Sequence, residues 1–218
     1  MAAVESSPTD LLVDFSTFRG CGPAMNSAPP DFADVDMHET WRNDGYHARF
    51  EYDCLDCQES NNVISDFRGK NFYLSNMFKS HLSVLPGKYL HWSCVVQSSE
   101  NIYQAAKFSQ TSEAHLQREI LMTTPHGSKR LASKVYKLSP ERLKHWDRIK
   151  HDVMEAALRV KFGQHADLKA KLLATGDKKL IEGNEWHDNC WGVHQPEPGV
   201  GLGENHLGRT LMKLRTEY

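Results

Sequence analysis

"SPERLKHWDRIKHDVMEAALRVKFG", Ser139 to Gly163, decides the fold class. Ser139 is a natural N-cap, Pro140 suits the first helical position, and Gly163 is a stop signal. Between them Leu143, Trp146, Ile149, Val153, Ala157 and Val160 recur at steps of three and four. That is the period of one apolar helix stripe, so this segment reads as a long core helix. Trp146 and Lys150 share one side of it. Trp146 reads as core, and Lys150, at the edge of the stripe, either reaches solvent or faces a ligand.

Working outward, shorter elements flank this helix. "SSENIYQAAKFSQ" (98–110) reads as a helix capped by Ser98 or Ser99, and "SEAHLQREILMTT" as another, closed near Pro125. "HGSKRLASKVYKL" reads as a helical turn followed by an extended piece. "ADLKAKLLATG" is a short helix stopped by Gly176, and "NHLGRTLMKLRTEY" a closing helix capped by Asn205. Strand signals are few. "VISDF" and "YLHWSCVVQ" (Tyr89–Gln97) are rich in β-branched and aromatic residues, and the Pro86-Gly87 turn joins the latter to "SHLSVL" as a hairpin. "KKLIEG" is a further strand, and "WHDNCWGV" a loop or strand end. The expectation is an α+β fold, a mostly helical single domain with a small β-sheet over 63–218.

Residues 1–62 read differently. They are rich in Pro, Gly, Ser, Asn and Asp and carry 3 Arg and no Lys against 12 acids. Such a segment buries little apolar surface and reads as an acidic, poorly ordered extension whose removal leaves activity intact. Tyr46–Asp53 alternates loosely as one strand. Residues 63–218 carry 23 basic against 16 acidic side chains, a balance compatible with a phosphate-bearing ligand. The five cysteines are scattered and odd in number, which reads as reduced thiols in an intracellular, cytoplasmic or nuclear protein. Cys54 and Cys57 form a lone CxxC with no second ligand pair at standard spacing. No apolar run reaches membrane-spanning length, and the opening residues lack a basic region followed by an apolar block, so no secretory signal is expected. HExxH, GxSxG and P-loop patterns are absent, which disfavours a metal hydrolase.

Four stretches could carry chemistry. On the helix from Ser98, with Glu100 at 0°, Gln104 falls near +40° and Lys107 near −20° at ~100° per residue. Tyr103 and Phe108 flank this stripe of acid, amide and amine. It is either a solvated face or one wall of a cleft, where a desolvated Lys becomes nucleophilic and a Glu can move protons. "DFRGKNFYLSNMF" offers Gly69 for a turn, and Asn76 either in an Asx turn or recognising polar groups. "NEWHDNCWGV" sets Asp188 between Trp186 and Trp191, as a turn former or as a polar anchor where indoles stack on a base. "GVGLGENHLG" places glycines before Asn205 and a helix, either a plain loop or a phosphate cradle.

In order along the chain, these motifs resemble the NADAR (YbiA-like) family. They are F-R-G at 67–69, L-S-N at 74–76, and S-x-E-x-x-Y-Q-A-x-K-F from Ser98 to Phe108. W-D-x-x-K-x-x-x-M-x-x-A-L-x-x-K-F follows from Trp146, then L-L-x-T-G, D-N-x-W-G at 188–192, and G-x-N-x-L-G-x-x-L-M-x-x-R from Gly203. The resemblance implies an N-glycosidase without metal or cofactor. It acts on ADP-ribose joined to the exocyclic amine of guanine, in DNA or a nucleotide. The alternatives are ribosylamino-pyrimidine intermediates of riboflavin synthesis, or a module that reads ADP-ribose without cleaving it. The intact Glu100/Lys107 pair argues against a dead domain. An ADP-ribosyltransferase encoded elsewhere would be the counterpart activity. The resemblance makes Lys107 the Schiff-base nucleophile; on chemical grounds Glu100 would then carry protons, and Asp188 would hold ribose hydroxyls or assist proton movement. Phe67, Gly69, Asn76, Tyr103, Gln104, Trp146, Lys150, Trp191, Gly192, Gly203 and Asn205 would line the substrate site.

Overall fold

A computed structural model of the chain describes residues 62–109, 111–197 and 200–218. The strand expected over Tyr46–Asp53 and the Cys54/Cys57 pair lie outside them. The chain is α+β, with helices α1 (Ser99–Ala106), α2 (Ala114–Leu121), α3 (Pro125–Arg130), α4 (Pro140–Gln164), α5 (Ala166–Leu173) and α6 (His206–Glu217). Among the described residues seven short strands accompany them: β1 (Val63–Ile64), β2 (Leu82–Val84), β3 (Cys94–Val96), β4 (Lys179–Leu180), β5 (Gly183–Asn184), β6 (Val193–Glu197) and β7 (Val200–Leu202). These described strands form three small sheets where one was expected, ordered β1-β4, β2-β3 and β5-β6-β7. The described residues form two compact units, one over 72–176 and one over 62–71 with 177–217. A 3-10 helix, Gly69–Leu74, carries the chain from the second to the first.

The first unit is built around α4. Ser139 caps it as expected, accepting from the Arg142 N–H, with Pro140 at its start. Trp146, Val153, Ala157 and Val160 are buried, whereas Leu143 is exposed because the first turn projects beyond the core. The helix runs through Gly163 and ends one residue later. Packed on α4 is α1, which α2 and α3 also contact. All eight residues of α1 are buried in consequence. Asn101 is the polar anchor inside this cluster: its amide donates to the Ile120 and Thr123 carbonyls at 3.2 and 2.9 Å. Ser98 holds the N-cap position of α1 but supplies no side-chain cap; its hydroxyl donates instead to Asn101 Oδ1 at 2.8 Å.

Three expectations need correction here. The Tyr89–Gln97 strand shrinks to Cys94–Val96, paired antiparallel with Leu82–Val84. The loop between them is long because Gln117 captures the intervening backbone, accepting from His91 N–H at 2.7 Å and donating to the Tyr89 carbonyl at 2.7 Å. A side chain thus takes the bonds a neighbouring strand would have taken. The second helix ends at Leu121, and Pro125 opens α3 under a Thr124 cap rather than closing α2. The piece after α3 is a π-helical turn, Leu131–Val135, closed by Tyr136 N–H donating to Leu131 O at 2.8 Å, and not extended chain.

In the second unit β1 and β4 pair in parallel, Val63 beside Lys179 and Ile64 beside Leu180. β5 pairs parallel with β6, and β6 antiparallel with β7. The closing helix α6 packs on β4. Among the described residues no helix is long and apolar enough to cross a membrane, and Cys94 is a free thiol.

Candidate active site

The polar stripe on α1 faces protein, not water. Glu100 is 3% exposed and Gln104 4%. Burying a carboxylate requires donors, and two side-chain amides supply them. Asn76 Nδ2 donates to Glu100 Oε2 at 2.5 Å, and Gln104 Nε2 to Oε1 at 2.7 Å. The Asn76 carbonyl also accepts the Glu100 N–H at 3.0 Å. Asn76, read either as a turn former or as a recognising amide, thus serves as a clamp that grips Glu100 by backbone and side chain together. Gln104 Oε1 is buried with no hydrogen-bond partner among the described residues. Such an acceptor costs about 1–3 kcal/mol until an N–H or O–H reaches it.

Lys107 occupies the C-cap of α1, one turn beyond Tyr103. Its Nζ lies 5.6 Å from the Tyr103 ring centre and 5.5 Å from that of Trp146. Those two rings meet edge to face, 4.9 Å between centroids. Burial pushes the Lys107 amine down to about 8; the Glu100 charge pulls it upward, and Lys129 pushes it further down. At pH 7.5 roughly a quarter of such amines are neutral, against roughly one in a thousand for an ordinary lysine. The main chain here is also pinned, since Arg142 Nη2 of α4 donates to the Lys107 carbonyl at 3.0 Å while its Nη1 ion-pairs with Glu113.

The first unit thus brings together Asn76, Glu100, Tyr103, Gln104, Lys107 and Trp146. Lys150 lies one helical turn past Trp146 and bonds Asp147 Oδ1 at 3.0 Å. Sequence reasoning missed Arg142, whose only signal was a basic residue in the first turn of α4.

A second group belongs to the other unit. Asp188 shapes its loop: Oδ1 accepts the Trp191 N–H at 2.9 Å, and Asn184 grips both its backbone groups. Trp186 is 56% exposed, with the Arg68 guanidinium 5.6 Å from its ring; Trp191 is half-buried and meets His206 edge-on. Gly192 and Gly203 mark close backbone crossings. A Cβ on Gly192 would lie 2.3 Å from Glu182 O, and one on Gly203 2.2 Å from Gly192 O. Asn205 stands at the head of α6 as expected, its carbonyl accepting the Arg209 N–H at 2.9 Å, but its side chain turns elsewhere. Its Oδ1 accepts from Glu182 N–H at 3.1 Å and its Nδ2 donates to Leu180 O at 2.9 Å, so both ends of the amide are spent on the main chain of β4 and the link after it. Phe67 is buried, and Gly69, at φ +51°, opens the 3-10 helix.

The NADAR domain profile matches residues 62–218, nearly all of the chain beyond the acidic segment. The chain belongs to the NADAR family. Among its relatives, the N-glycosidase YbiA of Escherichia coli is 40% identical over 120 residues, 55% of this chain and 69% of that protein. An N-glycosidase of Nostoc punctiforme is 34% identical over 128 residues, 58% of this chain and 74% of its own. The chloroplastic riboflavin biosynthesis protein PYRR of Zea mays is 33% identical over 72% of this chain and 25% of that longer one. The NMR structure of E. coli YbiA aligns with a TM-score of 0.53 at 32% identity, over 73% of this chain and 89% of YbiA. Membership in the NADAR family explains why the motif residues fall on so many separate elements. Some of them hold the polar cluster of α1, and others hold the backbone crossings of the second unit.

Proposed function

We propose that the protein is an N-glycosidase that removes ADP-ribose from the exocyclic amine of guanine, in DNA or nucleotide, through a Schiff base on Lys107. The N-glycosidase class, a hydrolase, rests on the family and on relatives named for that activity. The observation that supports the finer reading is the Lys107 amine: its pKa is lowered to about 8, it is walled by Tyr103 and Trp146, and the clamped carboxylate of Glu100 acts on it.

The chemistry balances without a metal. The lone pair on the linking nitrogen expels the ribose ring oxygen, which takes a proton, leaving an imine between C1 and the base nitrogen. Neutral Lys107 Nζ adds to C1. A proton moves from Nζ to the base nitrogen, by way of Glu100, and the C1–N bond to guanine breaks. Water adds to the Lys107 imine, the amine leaves, and the sugar aldehyde recloses. The buried acceptor Gln104 Oε1 is suited to an N–H or O–H of the bound substrate.

A second reading, cleavage of ribosylamino-pyrimidines, is favoured by the riboflavin-biosynthesis name of the maize relative. It needs the same two residues. Borohydride added during turnover should reduce the imine and label wild-type protein irreversibly on Lys107, and Lys107→Ala should stay unlabelled. Equal labelling of the two would sink the covalent step. Running both substrate classes side by side assigns the preference.

A further inference from the structure

We infer that Lys161 is a positioning residue for the Glu100 carboxylate, acting through the backbone of residues 73–75 and through Asn76. Lys161 lies in the last turn of α4 and is completely buried. A buried ammonium must have its donors met. Here Nζ donates to the carbonyls of Tyr73 at 2.5 Å and Ser75 at 2.8 Å, with the Phe78 and Phe162 rings 5.4 and 5.0 Å away.

The Tyr73 carbonyl stands at the end of the 3-10 helix, where main-chain acceptors lack partners within the helix, and the Ser75 carbonyl just past it also accepts the Phe78 N–H at 3.1 Å. The next residue is Asn76, which holds Glu100 by both its backbone and its side chain. An apolar side chain of similar volume would fill this place without the cost of desolvating a charge. What the ammonium adds is direction: it fixes two of the three carbonyls before Asn76, and through them the angle from which Asn76 meets Glu100. The inference deepens the proposed function and takes from it the role of Glu100, while the geometry stands by itself.

The test reads the Lys107 amine without any nucleotide substrate. Glycolaldehyde with cyanoborohydride alkylates neutral amines, and peptide mapping gives the labelling rate at Lys107 against pH. The charged groups bearing on this amine are Glu100 of α1, Lys129 of α3 and, at its carbonyl, Arg142 of α4. Wild type should show a midpoint near about 8. In Lys161→Met a loosened Asn76 lets Glu100 recede, and since Glu100 raises the amine's pKa, the midpoint should fall by about half a pH unit, as for a carboxylate retreating by ~1.5 Å. Lys161→Gln, which keeps an N–H donor, should fall less. Asn76→Ala should match Lys161→Met, and the double variant should exceed neither single. A Lys161→Met protein that melts earlier with an unmoved labelling midpoint overturns the inference, and so does failure of both Lys161 variants to fold. Turnover of ADP-ribosyl-guanosine is assayed separately. No turnover by wild type would remove the proposed function and leave the labelling result standing.

Discussion

Replacing Lys107 by Met should stabilise the folded protein while abolishing turnover. The amine titrates at about 8 in the fold, against 10.5 for an ordinary lysine. Each pH unit between those two values corresponds to about 1.36 kcal/mol, so holding this residue protonated costs the native state about 3 kcal/mol at neutral pH. Methionine is also unbranched, and its thioether packs well against rings. The expected net gain is about 3 kcal/mol at pH 7, read as a higher urea midpoint at unchanged slope. The pH dependence carries a definite sign. Below about 8 the lysine is protonated in both states and the full cost is present. Between about 8 and 10.5 the unfolded chain binds more protons than the folded one, so wild-type stability rises with pH relative to the variant. Above 10.5 the cost is gone. Urea titrations of both proteins at pH 7, 8.5 and 10 should therefore show a gap that closes stepwise. Equal stability at pH 7, or a gap constant across the three, would refute the reasoning.

Three further outcomes follow from the same geometry. On the acid side, kcat/KM should rise with pH through about 8, as the fraction of neutral Lys107 grows; a rate flat from pH 6 to 9 would mean that this amine does not attack. Arg142→Gln removes the donor to the Lys107 carbonyl and the ion pair to Glu113. It should lower kcat by about tenfold through misplacement of the amine, and Arg142→Lys, lacking the planar fork, should not restore it; full activity in either variant contradicts this. Gly192→Ala drives a Cβ to 2.3 Å from a backbone oxygen that cannot swing away. The thermal midpoint should drop in step with a loss of about 2–3 kcal/mol, and an unchanged midpoint would show that the crossing is looser than described.

The sequence spoke clearly where its signals are local. The limits of α4 followed from a cap, a proline and a sustained period, and these act within one segment. Strands of two or three residues carry too little period to be read, and their partners lie far along the chain. The Tyr89–Ser93 stretch had the composition of a strand and lost that role to Gln117, which no local pattern announces. The α1 stripe shows a different limit. Periodicity says which residues share a face, but whether that face is dry depends on what packs over it. Only the burial of α1 beneath α2, α3 and α4 turns Glu100 and Gln104 from solvated neighbours into a clamped pair.

The motifs themselves mix two kinds of residue, and the structure begins to separate them. In D-N-x-W-G, Gly192 is explained by the Glu182 carbonyl beside it, and in G-x-N, Asn205 by its bonds to Leu180 and Glu182. Neither explanation needs a ligand. Lys107 is the opposite case: the fold does without its charge and holds it at a cost. Lys161 stands between the two, since its partners are carbonyls, which leave no mark in a sequence, and they adjoin the residue that grips Glu100. Stability measurements therefore sort the motif by role. Gly192→Ala should lose stability, Lys107→Met should gain it, and a motif residue that fits neither pattern is a candidate for contact with substrate.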